Sequence, residues 1–184
     1  QEPMWINQVH GTTVVDIAHH QTSPRADACY TSNVQTVCAV QTADCLPILV
    51  CNQQGTEIAA IHAGWRSLLS GVIHNTITTL ASPADKLMAW LGPAIGPKVF
   101  VVNETIYLDF IARNNENSAA FVQHGHSWLA DIYHLAKISL NTCGVSQIYG
   151  GDFCTVTDSK RFYSYRAAQQ GPTGRMATLI WMTK

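Results

Sequence analysis

Three residues have the types and placement for chemistry: His10 before Gly11, Cys45 after Asp44, and His62 before Ala63. Each stands at the end of a segment that reads as extended. A thiolate with two imidazoles suits Zn²⁺, and also copper. Three protein ligands leave one position open for water or substrate, the form a catalytic metal site takes. Neither a CxxC pair nor an HExxH helix accompanies them, so a buried Cys with two unrelated His stands as the plain alternative. A metal-free chemistry would use the same atoms, with Cys45 as nucleophile and His62 as its base. The two chemistries compete, because a metal-bound thiolate is poorly available to attack carbon. Asp44 joins Cys45 and His62 as a catalytic candidate. Alternation turns it to the opposite face, where it either orients a His or the turn, or caps the entry to the strand.

These residues need a scaffold, and the stretch Val37 to Arg66 supplies one. Two apolar runs, Leu46 to Cys51 and Ile58 to Ile61, flank Asn52-Gln53-Gln54-Gly55, a turn with Asn first and Gly fourth. A hairpin closed at Gln53-Gln54 puts Asn52 opposite Gly55 and Cys45 directly opposite His62, with Cβ atoms about 4.5–5.5 Å apart. A bulge with Gly55 in the left-handed conformation would shift the register by one and separate the two faces. Shared ligation therefore requires the unbulged register, or ligands just past the paired region.

Ala63-Gly64-Trp65-Arg66 is a tight strand-to-helix turn. The spacing of Leu68, Leu69, Val72, Ile73, Ile77 and Leu80 predicts one helix over Ser67 to Leu80. Arg66 then lies at a helix N-terminus, either as a surface cation beside a buried Trp or as an anion contact. Elsewhere Thr12 to Ile17, Val37 to Val40, Leu87 to Leu91, Val99 to Val102, Ala119 to Gln123, Val145 to Tyr149 and Met176 to Met182 read as strands. Asn103 caps a helix over Glu104 to Arg113, and Trp128 to Asn141 reads as a second, stopped by Gly144. Cys154 to Thr157 is short and extended. Gly92-Pro93-Ala94-Ile95-Gly96-Pro97 is a loop held to one shape by two Gly-Pro steps. His19-His20 and His124-Gly125-His126 read as polar loops. This alternation of strands and helices argues an α/β class.

The 184 residues are 47% hydrophobic and 12% charged, enough for one domain with a sizeable core. A net charge of −1 leaves no electrostatic footprint for nucleic acid or an anionic membrane. No apolar run approaches the roughly 20 residues that span a bilayer. Six Cys at irregular spacing in a long, apolar chain point to free thiols and a reducing, cytoplasmic setting.

Several motifs occur in order: QVHG (Gln8 to Gly11), RADA (Arg25 to Ala28), TADCLPIL (Thr42 to Leu49), HAGWR (His62 to Arg66), LGPAIGP (Leu91 to Pro97), CT (Cys154-Thr155), FYSYR (Phe162 to Arg166) and TGRM (Thr173 to Met176). Together they resemble the bacterial YfiH family, also called the laccase-domain, polyphenol oxidase or peptidoglycan editing factor family. The resemblance covers Gln8 nearly to the C-terminus. It implies a single-domain layered α/β sandwich with mixed sheets, similar to the catalytic domain of cytotoxic necrotizing factor. It implies metal ligation by His10, Cys45 and His62, with zinc as the cofactor and copper described in some members. Family members usually carry a segment before QVHG, so a domain over 1–184 lacking an N-terminal segment is expected.

The activities the resemblance implies are zinc-dependent purine nucleoside phosphorolysis with adenosine deamination, copper-dependent phenol oxidation, and hydrolysis of wrongly made peptidoglycan precursors. The partners are then a nucleoside and phosphate, and Arg66, Arg166 and Arg175 are the cations expected to hold phosphate or substrate. Three positions depart from the family pattern: Ser67 where it tends to Gly, Val101 where it tends to Glu, and Ala167 where it tends to a second Arg. The Val101 side chain neither titrates nor accepts a hydrogen bond, so a metal-binding protein with weakened catalysis is a further expectation.

Overall fold

A computed structural model describes residues 2–169 and 171–183. Its centre is a six-stranded mixed sheet of β1 (Val14–Asp16), β2 (Ala28–Thr31), β5 (Ile58–Ala63), β4 (Leu46–Asn52), β6 (Leu87–Leu91) and β10 (Gln147–Gly150), in that spatial order. The outer pairs β1–β2 and β6–β10 are parallel, and the inner pairs are antiparallel. An antiparallel ribbon of β3 (Val37–Thr42) and β11 (Met176–Trp181) covers one face. The helices α1 (Trp65–Ser70), α2 (Val72–Thr79) and α4 (Ile132–Thr142) cover the other. A three-stranded sheet, β7 (Val101–Val102), β9 (Ser127–Ala130) and β8 (Phe121–His124), packs with α3 (Glu104–Arg113) at one side. The molecule is thus the layered α/β sandwich with mixed sheets that the motifs imply.

Strand β5 shows why the sheet sits in the middle. Ile58 and Ala60 face the ribbon with Cys38 and Val40, while Ala59, Ile61 and Ala63 face the helices with Val72 and Ile73. A strand buried on both faces loses the usual apolar/polar alternation. Burying a side chain the size of Ile61 contributes about 1.5–3 kcal/mol.

The hairpin forms, in a different register. Pro47 opposes His62 and Cys51 opposes Ile58, so the turn runs from Gln53 to Thr56. The cause is the buried Asn52, whose Oδ1 accepts from Thr56 N at 2.8 Å and Glu57 N at 3.3 Å. That side chain replaces strand pairing for Thr56, and Gly55 completes the loop at φ +68°. Cys45 lies one residue beyond the last pair, Leu46 with Ala63. The slip is two residues, so Cys45 and His62 keep a common face.

Other departures follow from local backbone chemistry. The helix expected over Ser67 to Leu80 is two, divided at Gly71 with φ +99°. Both halves keep one apolar face, so spacing alone does not reveal the break. Trp128 to Ala130 is strand, because Asp131 caps α4 by accepting from His134 N at 3.0 Å. Asn115–Ala120 is a 3₁₀ turn, and the strand begins at Phe121. Val99 and Phe100 lie outside β7. Cys154 makes a single bridge to Ala94 before the chain turns.

Candidate metal centre

His10, Cys45 and His62 converge at one end of the sheet, where the ribbon stops. One ligand atom from each lies within 4.8 Å of the others, with Cys45 Sγ 3.7 Å from His10 Nε2. Donors on one tetrahedral zinc are about 3.5 Å apart, given metal–ligand lengths near 2.0–2.3 Å. The imidazoles meet edge to face, with centroids 4.8 Å apart. His62 is buried, Cys45 half-buried and His10 exposed, which leaves an open side toward solvent. Among the described residues this is the one group of three or more His, Cys, Asp or Glu placed to share an ion.

The backbone around the triad is shaped for it. His10 has φ +59° and Asp44 has φ +85°, a region that costs free energy for residues other than glycine. Gly64 caps α1 at φ −65°, an ordinary value, so its lack of a side chain serves space rather than conformation. A Cβ there would stand 2.8 Å from His10 Cδ2 and 3.1 Å from Cys45 Sγ. The donor set and this cradle both fit a metal ion.

Sequence reading assigned no role to Asp27, although RADA contains it. Its fully buried carboxylate accepts four bonds. Oδ1 takes His10 N at 2.9 Å and His62 Nδ1 at 2.8 Å, and Oδ2 takes Val9 N at 3.2 Å and Gly11 N at 2.6 Å. The available signal was a lone carboxylate among Ala26, Ala28 and Cys29, just before the buried strand β2. Buried carboxylates require such pairing.

Electrostatics follow from these contacts. Burial opposes charge on His62, but hydrogen bonds to Asp27 and Cys45 and their charges outweigh it, raising the pKa to about 9. Burial likewise opposes ionisation of Cys45, and the two imidazoles reverse that, lowering its pKa to about 6. Burial also works against charge on Asp27, and its bonds from His62, Gly11 and Val9 leave the carboxyl below the usual range. Without metal the three groups form an ion pair and its counter-ion.

Asp44 lies in the bend between β3 and β4, and at φ +85° its carboxylate turns away from the triad. Its Oδ1 accepts from Thr155 Oγ1 and its Oδ2 from Arg166 N, both at 2.6 Å, while its carbonyl accepts from Ile95 N at 3.0 Å. It therefore ties the Gly-Pro loop and the Tyr165-Arg166 segment to the residue before Cys45. Tyr133 holds the same loop from behind, accepting from Ala94 N at 2.7 Å and donating to the Phe153 carbonyl at 2.8 Å.

Two clefts open beside the triad. One, about 580 Å³, is polar and includes Gln8, Gln41, Thr42, Arg66, Tyr165 and Arg175. The other adds Trp65, Ile95, Phe100, Ile132 and Arg166. His10, Cys45, Arg66 and Tyr165 line both. The three arginines differ. Arg66 is exposed, with its guanidinium 4.2 Å over the Trp65 ring. Arg166 reaches the carbonyls of Val99 and Val101 through long bonds of 3.4 and 3.5 Å. Arg175 donates to the carbonyls of Thr173 and Gly174 at 3.0 Å. Val101 is 40% exposed. Ser67 is fully buried, and its hydroxyl has no partner among the described residues.

A layered mixed-sheet α/β fold with an open two-histidine, one-cysteine candidate metal site defines a protein of the laccase-domain type. The family model described as multi-copper polyphenol oxidoreductase laccase matches residues 1–183. The chain belongs to that family, the YfiH family. A Shigella flexneri protein named purine nucleoside phosphorylase YfiH is 50% identical over 182 residues, 98% of this chain and 74% of that protein. A Pseudomonas aeruginosa purine nucleoside phosphorylase is 46% identical over the same shares of each chain. The crystal structure of a Neisseria meningitidis protein superposes with TM-score 0.95 at 43% identity, covering 99% of this chain and 76% of its own. Bacillus licheniformis YfiH, at 22% identity and TM-score 0.89 over 98% of this chain and 74% of its own, shares the fold.

Proposed function

We propose that the protein is a zinc-dependent purine nucleoside phosphorylase that also deaminates adenosine. The observation that carries this is the open His10–Cys45–His62 site at the junction of a cationic polar cleft and an aromatic one. The names of the Shigella and Pseudomonas relatives support the substrate class. Two imidazoles and a thiolate favour zinc, which when bound supplies Lewis acidity at the open position.

The residues divide the substrate between the clefts. Trp65 and Phe100 line the second cleft and give it an apolar, aromatic wall for a purine. Arg66 and Arg175 offer fixed cations to phosphate, and Gln8, Gln41 and Thr42 offer polar groups to ribose. In phosphorolysis a phosphate oxygen bonds to the anomeric carbon, and the bond from that carbon to the purine nitrogen breaks. The electron pair leaves with the base, which takes up a proton. Cations that hold phosphate in line, against a base held by stacking, lower the barrier by positioning and by screening charge. Asp44, itself in the lining of the second cleft, acts by holding the wall that carries Tyr165 and Arg166. Six free cysteines support a reducing compartment, and with it a cytoplasmic site of action.

The test is product formation by highly purified, zinc-loaded protein. Inosine with phosphate should give hypoxanthine and ribose 1-phosphate, and adenosine should give inosine. If neither product appears, the proposal fails. Copper-dependent phenol oxidation is the second reading, favoured by the description of the matching family model. It predicts oxidation by copper-loaded protein that zinc-loaded protein does not perform.

A further inference from the structure

On the reading of the triad as a metal site, we infer that Asp27 is the residue that assembles it. The carboxylate pre-positions two of the three ligands, His10 and His62, before any metal arrives. His62 lies 35 residues from Asp27 in the chain, and His10 lies 17. They come from different elements: His62 from β5, and His10 from the coil before β1. The Asp27 carboxylate accepts a hydrogen bond from each of them.

Its two oxygens do separate work. Oδ1 accepts from His62 Nδ1, so in the metal-bound state that nitrogen keeps its proton and Nε2 is the bare one, facing the site. Oδ2, with Oδ1, gathers three successive backbone N–H groups, Val9 to Gly11. That closes the turn in which His10 adopts φ +59°. Without the carboxylate nothing offsets that conformation, and the ring of His10 has no reason to overlie Gly64. One group thus sets the tautomer of one ligand and the backbone of another.

An amide cannot do both. In Asp27→Asn the side chain has one acceptor oxygen and one NH₂. If NH₂ takes the Oδ2 place, it confronts the N–H groups of Val9 and Gly11, and the turn opens. If it takes the Oδ1 place, it donates to His62 Nδ1, forces the proton to Nε2, and removes that ligand. Either outcome leaves Cys45 and a single His.

The test compares three purified proteins by competition for Zn²⁺ against a chelator, and by the absorption of Co²⁺ as a probe. Glu57 supplies the control for a merely structural carboxylate. It is also buried and accepts two backbone bonds, from Ala81 N at 2.8 Å and Ser82 N at 3.0 Å, away from the triad. Asp27→Asn should weaken zinc binding about 10–100-fold. It should lower the cobalt d–d bands while the thiolate-to-cobalt band of Cys45 persists. Glu57→Gln should lower the melting temperature and leave zinc affinity within about twofold of wild type.

Should Asp27→Asn not fold, the wild type still decides. Nitrogen-15 spectra of the zinc-loaded protein should show His62 protonated at Nδ1 and bare at Nε2. The opposite tautomer overturns the inference. So does equal zinc affinity in Asp27→Asn and wild type, or an equal loss in Glu57→Gln. Wild-type protein that takes up no metal overturns the metal site itself, and the role of Asp27 with it. Wild-type protein that binds zinc but makes no nucleoside product overturns only the proposed activity.

Discussion

The imidazole of His10 lies directly over the α-carbon of Gly64, so closely that a Cβ on Gly64 would stand 2.8 Å from His10 Cδ2. The strand-to-helix turn after His62 thus doubles as the floor under another ligand. Because Gly64 has φ −65°, alanine fits the backbone there and the obstacle is steric alone. Gly64→Ala should weaken zinc binding about 10-fold or more. The melting temperature of the metal-free protein should change little. Zinc titration of the two proteins measures this, and unchanged affinity would show that the ring of His10 moves aside freely.

Metal affinity should depend on pH in a way the triad dictates. With its pKa raised to about 9, His62 is protonated at neutral pH in the metal-free protein, and a metal must displace that proton. Cys45, lowered to about 6, is already thiolate there. Apparent zinc affinity should therefore climb roughly tenfold per pH unit from neutrality to about 9, then flatten. Below about 6 the slope should steepen, as Cys45 adds a second proton. Calorimetry at pH 7.5 in buffers of different ionisation enthalpy should count about one proton released per zinc from this pair. Release of none, or a flat affinity across this range, would contradict the electrostatics.

Asp44 is predicted to act on the substrate walls and not on the metal. Asp44→Asn keeps one acceptor for the two donors, Thr155 Oγ1 and Arg166 N. The folded state should lose about 1.5–3 kcal/mol, the usual contribution of a hydrogen bond to a charged group. Zinc affinity should remain, while KM for the nucleoside rises as the Tyr165-Arg166 wall loosens. A selective loss of zinc would instead place Asp44 within the metal's own environment.

Arg66 is the cation common to both clefts, which distinguishes it from Arg166 and Arg175. Arg66→Ala should raise KM for phosphate about tenfold or more, the effect of a lost charge-assisted contact of about 1.5–3 kcal/mol. Zinc content should stay at the wild-type level. Steady-state kinetics with varied phosphate tests the assignment. An unchanged KM would return Arg66 to a surface role beside Trp65.

Ser67 offers a prediction about stability alone. Its buried hydroxyl lacks a partner among the described residues, and it sits within α1. Ser67→Ala removes that unmet group and improves helix propensity, so it should stabilise the fold by about 1–3 kcal/mol. Denaturant titration reads this directly, and a loss of stability would mean that the hydroxyl is bonded in solution.

The sequence determined the donor types, the α/β class and the shared face of Cys45 and His62. These depend on local properties: the chemistry of His and Cys, the spacing of apolar residues, and the family motifs. The expected hairpin register was two residues off, yet it paired the ligands on the correct face, because the side-chain period of a strand is two. The break at Gly71 and the strand at Trp128 were illegible, since apolar spacing reports which face is buried and not the backbone conformation at one residue. Only the tertiary structure decided what Asp27, Gly64 and Asp44 do. Asp27 reaches two ligands 17 and 35 residues away, and Asp44 reaches residues 111 and 122 away. Such partners are chosen by how strands and loops pack, which no local pattern encodes.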